Sequence, residues 1–144
     1  MKVGIFQDIW FGLSMDLQEF QRRVVDPICQ KNGLTGQQLR ILLALADSPN
    51  QSVGDLSENV AIQRTNIAAV CGKLEADGLI RRARSGGDKR YVSVCLTAQG
   101  SEVLDHVRRD FNSRYAHVFE NEPQETFEAV SKGMAALQSF LKKF

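Results

Sequence analysis

Asn66-Ile67-Ala68-Ala69-Val70-Cys71-Gly72-Lys73-Leu74-Glu75-Ala76-Asp77-Gly78-Leu79-Ile80-Arg81-Arg82 is the stretch on which the reading of this chain turns, and it lies inside a longer unit, residues 62–97. Ile67, Val70, Cys71 and Leu74 recur at spacings of three and four, which on a helix gathers them on one buried face. Arg64, Thr65, Asn66, Ala69 and Lys73 fall on the opposite face. That surface is polar and basic, with small side chains near its start. Such a helix fits close to a nucleic-acid groove, where Asn pairs with adenine and Ala meets a thymine methyl. Gly78 is placed to stop it, since glycine takes the left-handed cap conformation at little cost.

Working outward, Leu79-Ile80-Arg81-Arg82-Ala83-Arg84 and Arg90-Tyr91-Val92-Ser93-Val94-Cys95-Leu96 flank Ser85-Gly86-Gly87-Asp88. This is turn chemistry between two strand-like runs, hence a hairpin. From Arg81 to Arg90 five basic residues (Arg81, Arg82, Arg84, Lys89, Arg90) stand against one acid, Asp88, a local balance of plus four. Phosphates suit that excess. Period-two alternation puts Val92, Val94 and Leu96 on one face, expected to pack on the helices, and Cys95 on the other. Asp88 and Arg90 share a side, so Asp88 is expected to orient the Arg90 guanidinium for entry into a minor groove. A charge run is by default a solvated hairpin. Because this one follows a helix-turn-helix pattern, DNA contact by Arg84, Lys89 and Arg90 is the expectation.

The rest of the chain presents this unit. In residues 5–25, Ile9, Trp10, Leu13, Leu17, Phe20 and Val24 step by three or four, an amphipathic helix that Pro27 should kink or end, with Asp26 biased toward an extended backbone. A further short turn through Cys29 precedes Asn32-Gly33. Thr35 as cap, Gln38 three residues on, and Leu34 paired with Leu39 mark a helix start. That helix should run to about Ala46, with Leu39, Leu42, Leu43 and Ala46 facing the core. Ser52 caps a short helix with Leu56 and Val60 inward, and Ala61-Ile62-Gln63 makes the turn into the helix quoted first. Thr97 caps a long helix with Leu104, Val107, Phe111, Tyr115 and Val118 along a seam, in which Gly100 costs a little. After Glu120-Asn121-Glu122-Pro123, the residues Phe127, Val130, Met134, Leu137 and Leu141 form a coiled-coil-like stripe.

The helix, glycine stop, basic hairpin and closing Leu96-Thr97-Ala98-Gln99-Gly100 together resemble the winged helix-turn-helix of the multiple-antibiotic-resistance regulator (MarR) family. Leu74-Glu75-Ala76-Asp77-Gly78-Leu79-Ile80-Arg81-Arg82, then Asp88-Lys89-Arg90, then Val92-Ser93-Val94-Cys95-Leu96-Thr97 with Gly100 carry the resemblance, with Gly33-Leu34-Thr35 upstream. It implies a mainly α (α+β) fold: a winged helix-turn-helix lobe at residues 34–100 with a β-hairpin wing. Dimerisation helices flank the lobe at residues 1–33 and 101–144. It also implies a homodimer that reads a pseudo-palindromic double-stranded operator and acts as a repressor. A small phenolic or anionic effector is expected in a cleft lined by Trp10, Phe11 and Arg40. Family members carry a basic side chain near the position of Ala69, so here base reading falls to Arg64, Asn66 and Lys73. Peroxide-sensing relatives use a helix-borne cysteine in the amino-terminal part, which makes Cys29 the redox candidate, although no tyrosine precedes Tyr91.

At 144 residues the expectation is one domain, or one DNA-binding lobe with helical arms, long enough for a real core. The net charge of +1 argues against a polyelectrolyte binder, but the charge is uneven. Residues 1–34 hold four basic and four acidic residues, residues 35–100 hold eight and six, and residues 101–144 hold six and seven. No apolar run reaches membrane-span length and the amino terminus does not read as a signal peptide, so the expectation is a cytoplasmic protein. Three cysteines without a CxxC pair suggest reduced thiols, with Cys71 inert in the core. His106 and His117 return to one helix face, but a rise of about 16 Å separates them, too far to share an ion. No metal or cofactor is expected. Gly86-Gly87 is a hairpin tip, and neither GxxxxGK[ST] nor GxSxG occurs, which speaks against an enzyme. Two rivals to a ligand-released repressor stand beside it: a thiol-based regulator of the same fold, and a winged-helix protein-interaction module without DNA function.

Overall fold

The computed structural model describes residues 1–84 and 92–144, which fall into two compact units, Met1–Asp110 and Phe111–Phe144. The first unit opens with α1 (Lys2–Phe20), a π-helical turn (Gln21–Val25) and α2 (Asp26–Lys31). Pro27 therefore does not end the helix, and Asp26 is not extended: it stays helical at φ −59°, ψ −42°, its N–H donating to the Gln21 carbonyl. The wider π turn makes room for the proline ring, which removes one backbone donor without breaking the run of helical residues.

The third helix, α3 (Gly36–Asp47), starts as its sequence requires. Thr35 N–H donates to Gln38 Oε1 at 2.9 Å and Gln38 N–H donates to Thr35 Oγ1 at 3.2 Å, a reciprocal capping box. Its inward face differs from the expected one. Leu39 and Leu42 are buried as anticipated, but the other buried apolar positions are Ile41 and Leu45, while Leu43 remains 42% exposed and Ala46 is exposed. The physical reason is position: α3 packs against α4 (Val53–Val60), α5 (Arg64–Ala76) and β3 (Val92–Leu96), so its buried arc turns toward Ile41 and Leu45.

A three-stranded antiparallel sheet closes this unit, in the order β1 (Gln51–Ser52), β3, β2 (Ile80–Arg84). The two-residue β1 was not anticipated from the sequence. It pairs Gln51 with Val94 and Ser52 with Ser93, while β2 pairs Ile80 with Leu96 through to Arg84 with Val92. As the central strand, β3 is covered on both faces. Val94 is fully buried, and Ser93 and Cys95 on the other face are buried too, whereas Val92 and Leu96 are only half-buried. Arg81 Nε donates to Cys95 Sγ at 3.2 Å and Ser93 Oγ donates to the Ala83 carbonyl at 3.2 Å, which seals that outer face.

Ile41, Leu42, Leu45, Leu56, Ile67, Leu74, Ile80, Val94 and Leu104 form the fully buried centre, each contributing about 1.5–3 kcal/mol. Leu104 comes from α6 (Ala98–Glu120), which Thr97 caps by accepting the Gly100 N–H at 3.1 Å. In the second unit α7 (Gln124–Leu141) buries no residue; the Phe119 ring stacks on Phe127 and is tilted at 55° to Phe111, both at centroid spacings of 6.0 Å. Val118, Val130 and Met134 are exposed. Within the first unit α1 likewise buries nothing.

Candidate nucleic-acid interface

The turn between α4 and α5 is made by a residue in an uncommon conformation. Ala61 sits at φ 52°, ψ 43°, the left-handed region, which reverses the chain at the end of α4. Ser57 Oγ donates to the Ile62 carbonyl at 2.5 Å, and the Ile62 N–H donates to the Ser57 carbonyl at 3.2 Å. Arg40 Nη1 donates to the Val60 carbonyl at 3.2 Å, satisfying an acceptor that the helix end leaves open. These bonds set the angle at which α5 leaves α4.

On α5 the two faces separate as their spacing predicts. Ile67, Cys71 and Leu74 are buried and Val70 is half-buried, while Arg64, Thr65, Asn66, Ala69 and Lys73 are exposed. Ala68 is exposed beside them, a position that spacing alone does not assign because alanine suits either face of a helix. Gly78, at φ 74°, ends the helix as anticipated.

Three cations near this surface, Arg64, Lys73 and Arg82, have carboxylate partners. Arg64 Nη2 lies 3.8 Å from Glu58 of α4, Lys73 Nζ lies 3.2 Å from Asp77 one turn on, and Arg82 Nε of β2 lies 2.8 Å from Glu75 of α5. Only the Lys73–Asp77 pair has a helical spacing; the others cross between elements, where spacing carries no signal. Arg84 is exposed at the end of β2. Asp88, Lys89 and Arg90, with the orientation of Arg90 by Asp88, lie outside the described residues.

Arg40 borders a cleft of about 510 Å³ lined by Gln21, Asp26, Thr35, Gly36, Gln37 and Arg40. Trp10 and Phe11 do not line it: they are 43% and 66% exposed, farther toward the start of α1. One chain therefore does not bring the three residues together. Cys29 is buried, and burial, with Asp26 beside it, pushes its thiol pKa up. That is the opposite of what a redox-reactive thiolate needs. Burial also raises the Cys71 thiol, against the opposing effect of Arg82. His106 is exposed with Nε2 3.9 Å from Glu102, and among the described residues no three His, Cys, Asp or Glu side chains gather to hold a metal ion. No helix among them is long and apolar enough to cross a membrane.

Residues 32–90 match the model of the MarR family. The transcriptional regulator HosA of Escherichia coli O127:H6 (strain E2348/69 / EPEC) is 32% identical over 108 residues, covering 70% of this chain and 77% of that protein. The chain belongs to the MarR family. The homoprotocatechuate degradative operon repressor of Escherichia coli is 29% identical over 115 residues, 80% of this chain and 76% of that protein. Among solved structures, NadR in complex with 4-hydroxyphenylacetate is 26% identical with a TM-score of 0.74, covering 90% of this chain and 91% of that one. The fold is shared with Staphylococcus aureus MarR in complex with salicylate and kanamycin, at 23% identity and a TM-score of 0.79 over 99% of this chain and 96% of that one. In MarR terms, α4 and α5 are the helix-turn-helix, β2 and β3 are the strands of the wing, and the chain is a winged-helix transcription regulator by family. Its relatives are regulators, not enzymes.

Proposed function

We propose that this MarR-family regulator is a homodimeric repressor that binds a pseudo-palindromic duplex and is released from it by a small phenolic or anionic compound. The observation that carries the reading is the division of α5: Ile67, Cys71 and Leu74 are locked into the core, while Arg64, Thr65, Asn66, Ala69 and Lys73 stand exposed. A helix held rigidly along one face and polar along the other is what major-groove reading requires. Arg84, with Lys89 and Arg90 read from sequence, supplies cations for the backbone and the minor groove.

The dimer is supported by surface that water does not favour. Ile9 at 58%, Phe11 at 66% and Leu17 at 53% exposure on α1, with Val130 at 58% and Met134 at 41% on α7, leave apolar area that a second copy would cover. For the effector, the support is the Arg40 cleft and two relatives: NadR holds 4-hydroxyphenylacetate, and a second relative represses an operon for homoprotocatechuate degradation. Arg40 is the anion partner in this reading, and Trp10 and Phe11 are assigned to the surface between copies, where they complete the cleft.

Selecting bound duplexes from a random pool, then titrating the winner at two salt concentrations with wild type and Arg90→Ala, tests the reading. An inverted repeat with half-sites about one helical turn apart and steep salt dependence is the expected result. Absence of any enriched duplex, with weak binding indifferent to Arg90→Ala, would replace it by a protein-interaction module.

A further inference from the structure

Resting on that reading, we infer that the centre of each half-site is read as adenine and thymine, with thymine methyl groups as the discriminating feature and Thr65, Asn66 and Ala69 as the residues that read them. Guanine is recognised in a major groove chiefly by an Arg or Lys that bonds its O6 and N7. The two candidates on α5 are both drawn aside. Arg64 leaves the first turn toward Glu58 of α4 at 3.8 Å, and its guanidinium also lies over Gly54 of the same helix. Lys73 folds down α5 onto Asp77 at 3.2 Å. Both cations so sit at the two ends of the exposed surface, where the duplex backbone passes, and each brings a carboxylate that repels the phosphates unless the cation stays between them.

Between them the surface is short. Thr65 and Ala69 are one helical turn apart on the outward face, and each ends in a methyl group. Asn66 is exposed beside them, and neither its amide nor the Thr65 hydroxyl makes a side-chain hydrogen bond among the described residues. An Asn amide matches the N6 donor and N7 acceptor of adenine, whereas a methyl group has a unique major-groove partner in the 5-methyl of thymine. Short side chains also let the helix axis approach the base edges, which a methyl contact demands. The arrangement biases the two possible guanine readers toward their carboxylates at the ends of the helix, weakly since both pairs are exposed, and leaves adenine and thymine readers in the middle.

The test takes the duplex selected above and replaces each thymine in turn by deoxyuridine, which removes the methyl group and keeps the base pair. At one or two positions in each half-site wild-type binding should weaken about fourfold, the value of one buried methyl group. That penalty should vanish at one position in Thr65→Ser and at another in Ala69→Gly. Arg64→Met and Lys73→Met should lower affinity uniformly across sequences and flatten the salt dependence, leaving the preferred bases unchanged. A duplex bound tightly and salt-dependently, yet indifferent to every deoxyuridine, overturns the inference while the DNA-binding reading stands. So does a guanine preference that Arg64→Met or Lys73→Met relaxes. If no duplex is bound at all, the functional reading falls and takes the inference with it.

Discussion

Gly100 packs its α-carbon against the backbone carbonyl of Leu79, so closely that a β-carbon at position 100 would overlap that oxygen and crowd the Leu96 side chain. The same carbonyl accepts the Thr97 N–H at 3.1 Å, and Thr97 Oγ1 donates to the Gly78 carbonyl at 2.6 Å. The end of the α5 unit and the start of α6 are thereby joined backbone to backbone. Read from sequence, Gly100 is a small cost within a helix; in the fold it is a condition of the joint.

Gly100→Ala should therefore destabilise the protein by about 2 kcal/mol, overpacking against backbone outweighing the roughly 1 kcal/mol that alanine gains in helix propensity. Urea denaturation followed by circular dichroism measures it. A variant as stable as wild type would mean that the joint relaxes freely and does not couple the two helices.

The Glu75–Arg82 pair bridges α5 and β2 at 2.8 Å with both side chains about two-fifths exposed, at 44% and 42%. Such a pair contributes within about 1 kcal/mol of stability. Glu75→Gln should leave the melting temperature nearly unchanged while freeing the Arg82 guanidinium for a phosphate. Its expected signature is tighter binding to any duplex and a salt slope steeper by about 0.9 per added contact. An unchanged slope would place Arg82 out of reach of the duplex.

Much of this was legible, and the divide follows the range of the interactions. Thr35 and Gln38 cap α3 within three residues, and Ile67, Cys71 and Leu74 define a buried face within two turns, so local spacing is enough to read both. The π turn was not, because Pro27 announces a disturbance without saying how the backbone absorbs it. Strand β1 exists only because Gln51 and Ser52 pair with Val94 and Ser93, some forty residues on, and two residues hold no periodicity. The same holds at the site. The face of α5 is visible in the sequence, but Glu58, Glu75 and the Leu79 carbonyl find their partners through the folded chain.

Asp110 illustrates such a partner with a pH consequence. Its carboxylate accepts from Lys31 Nζ at 2.8 Å and from Asn32 Nδ2 at 2.9 Å, tying α6 to the end of α2. The Lys31 hydrogen bond first, and the Asn32 bond second, hold its pKa below the usual carboxylate value. A depressed folded pKa means that the unfolded chain binds the proton more readily, so this contribution is present above the ordinary aspartate range and is lost as pH falls through the depressed value. Asp110→Asn should lower stability at neutral pH and narrow the gap to wild type as the pH drops below about 4. Denaturation midpoints of both proteins across that window measure it, and a gap that stays constant with pH would show that the ion pair is not its source.

The exposed stripes of α1 and α7 make the strongest demand on a second copy. Val130 and Ile9 are each 58% exposed, and no element of their own unit covers them. Val130→Glu combined with Ile9→Glu introduces two like charges per chain into the surface assigned to the dimer, where desolvating an unpaired carboxylate costs several kcal/mol. Light scattering should show a dimer for wild type and a monomer for the double variant. Operator affinity should fall steeply because only one half-site is held at a time. Since both positions are solvent-facing in the single chain, the helical circular dichroism of the winged-helix lobe should survive. A double variant that remains dimeric and binds its operator normally would move the interface elsewhere on the chain and leave these stripes to another partner.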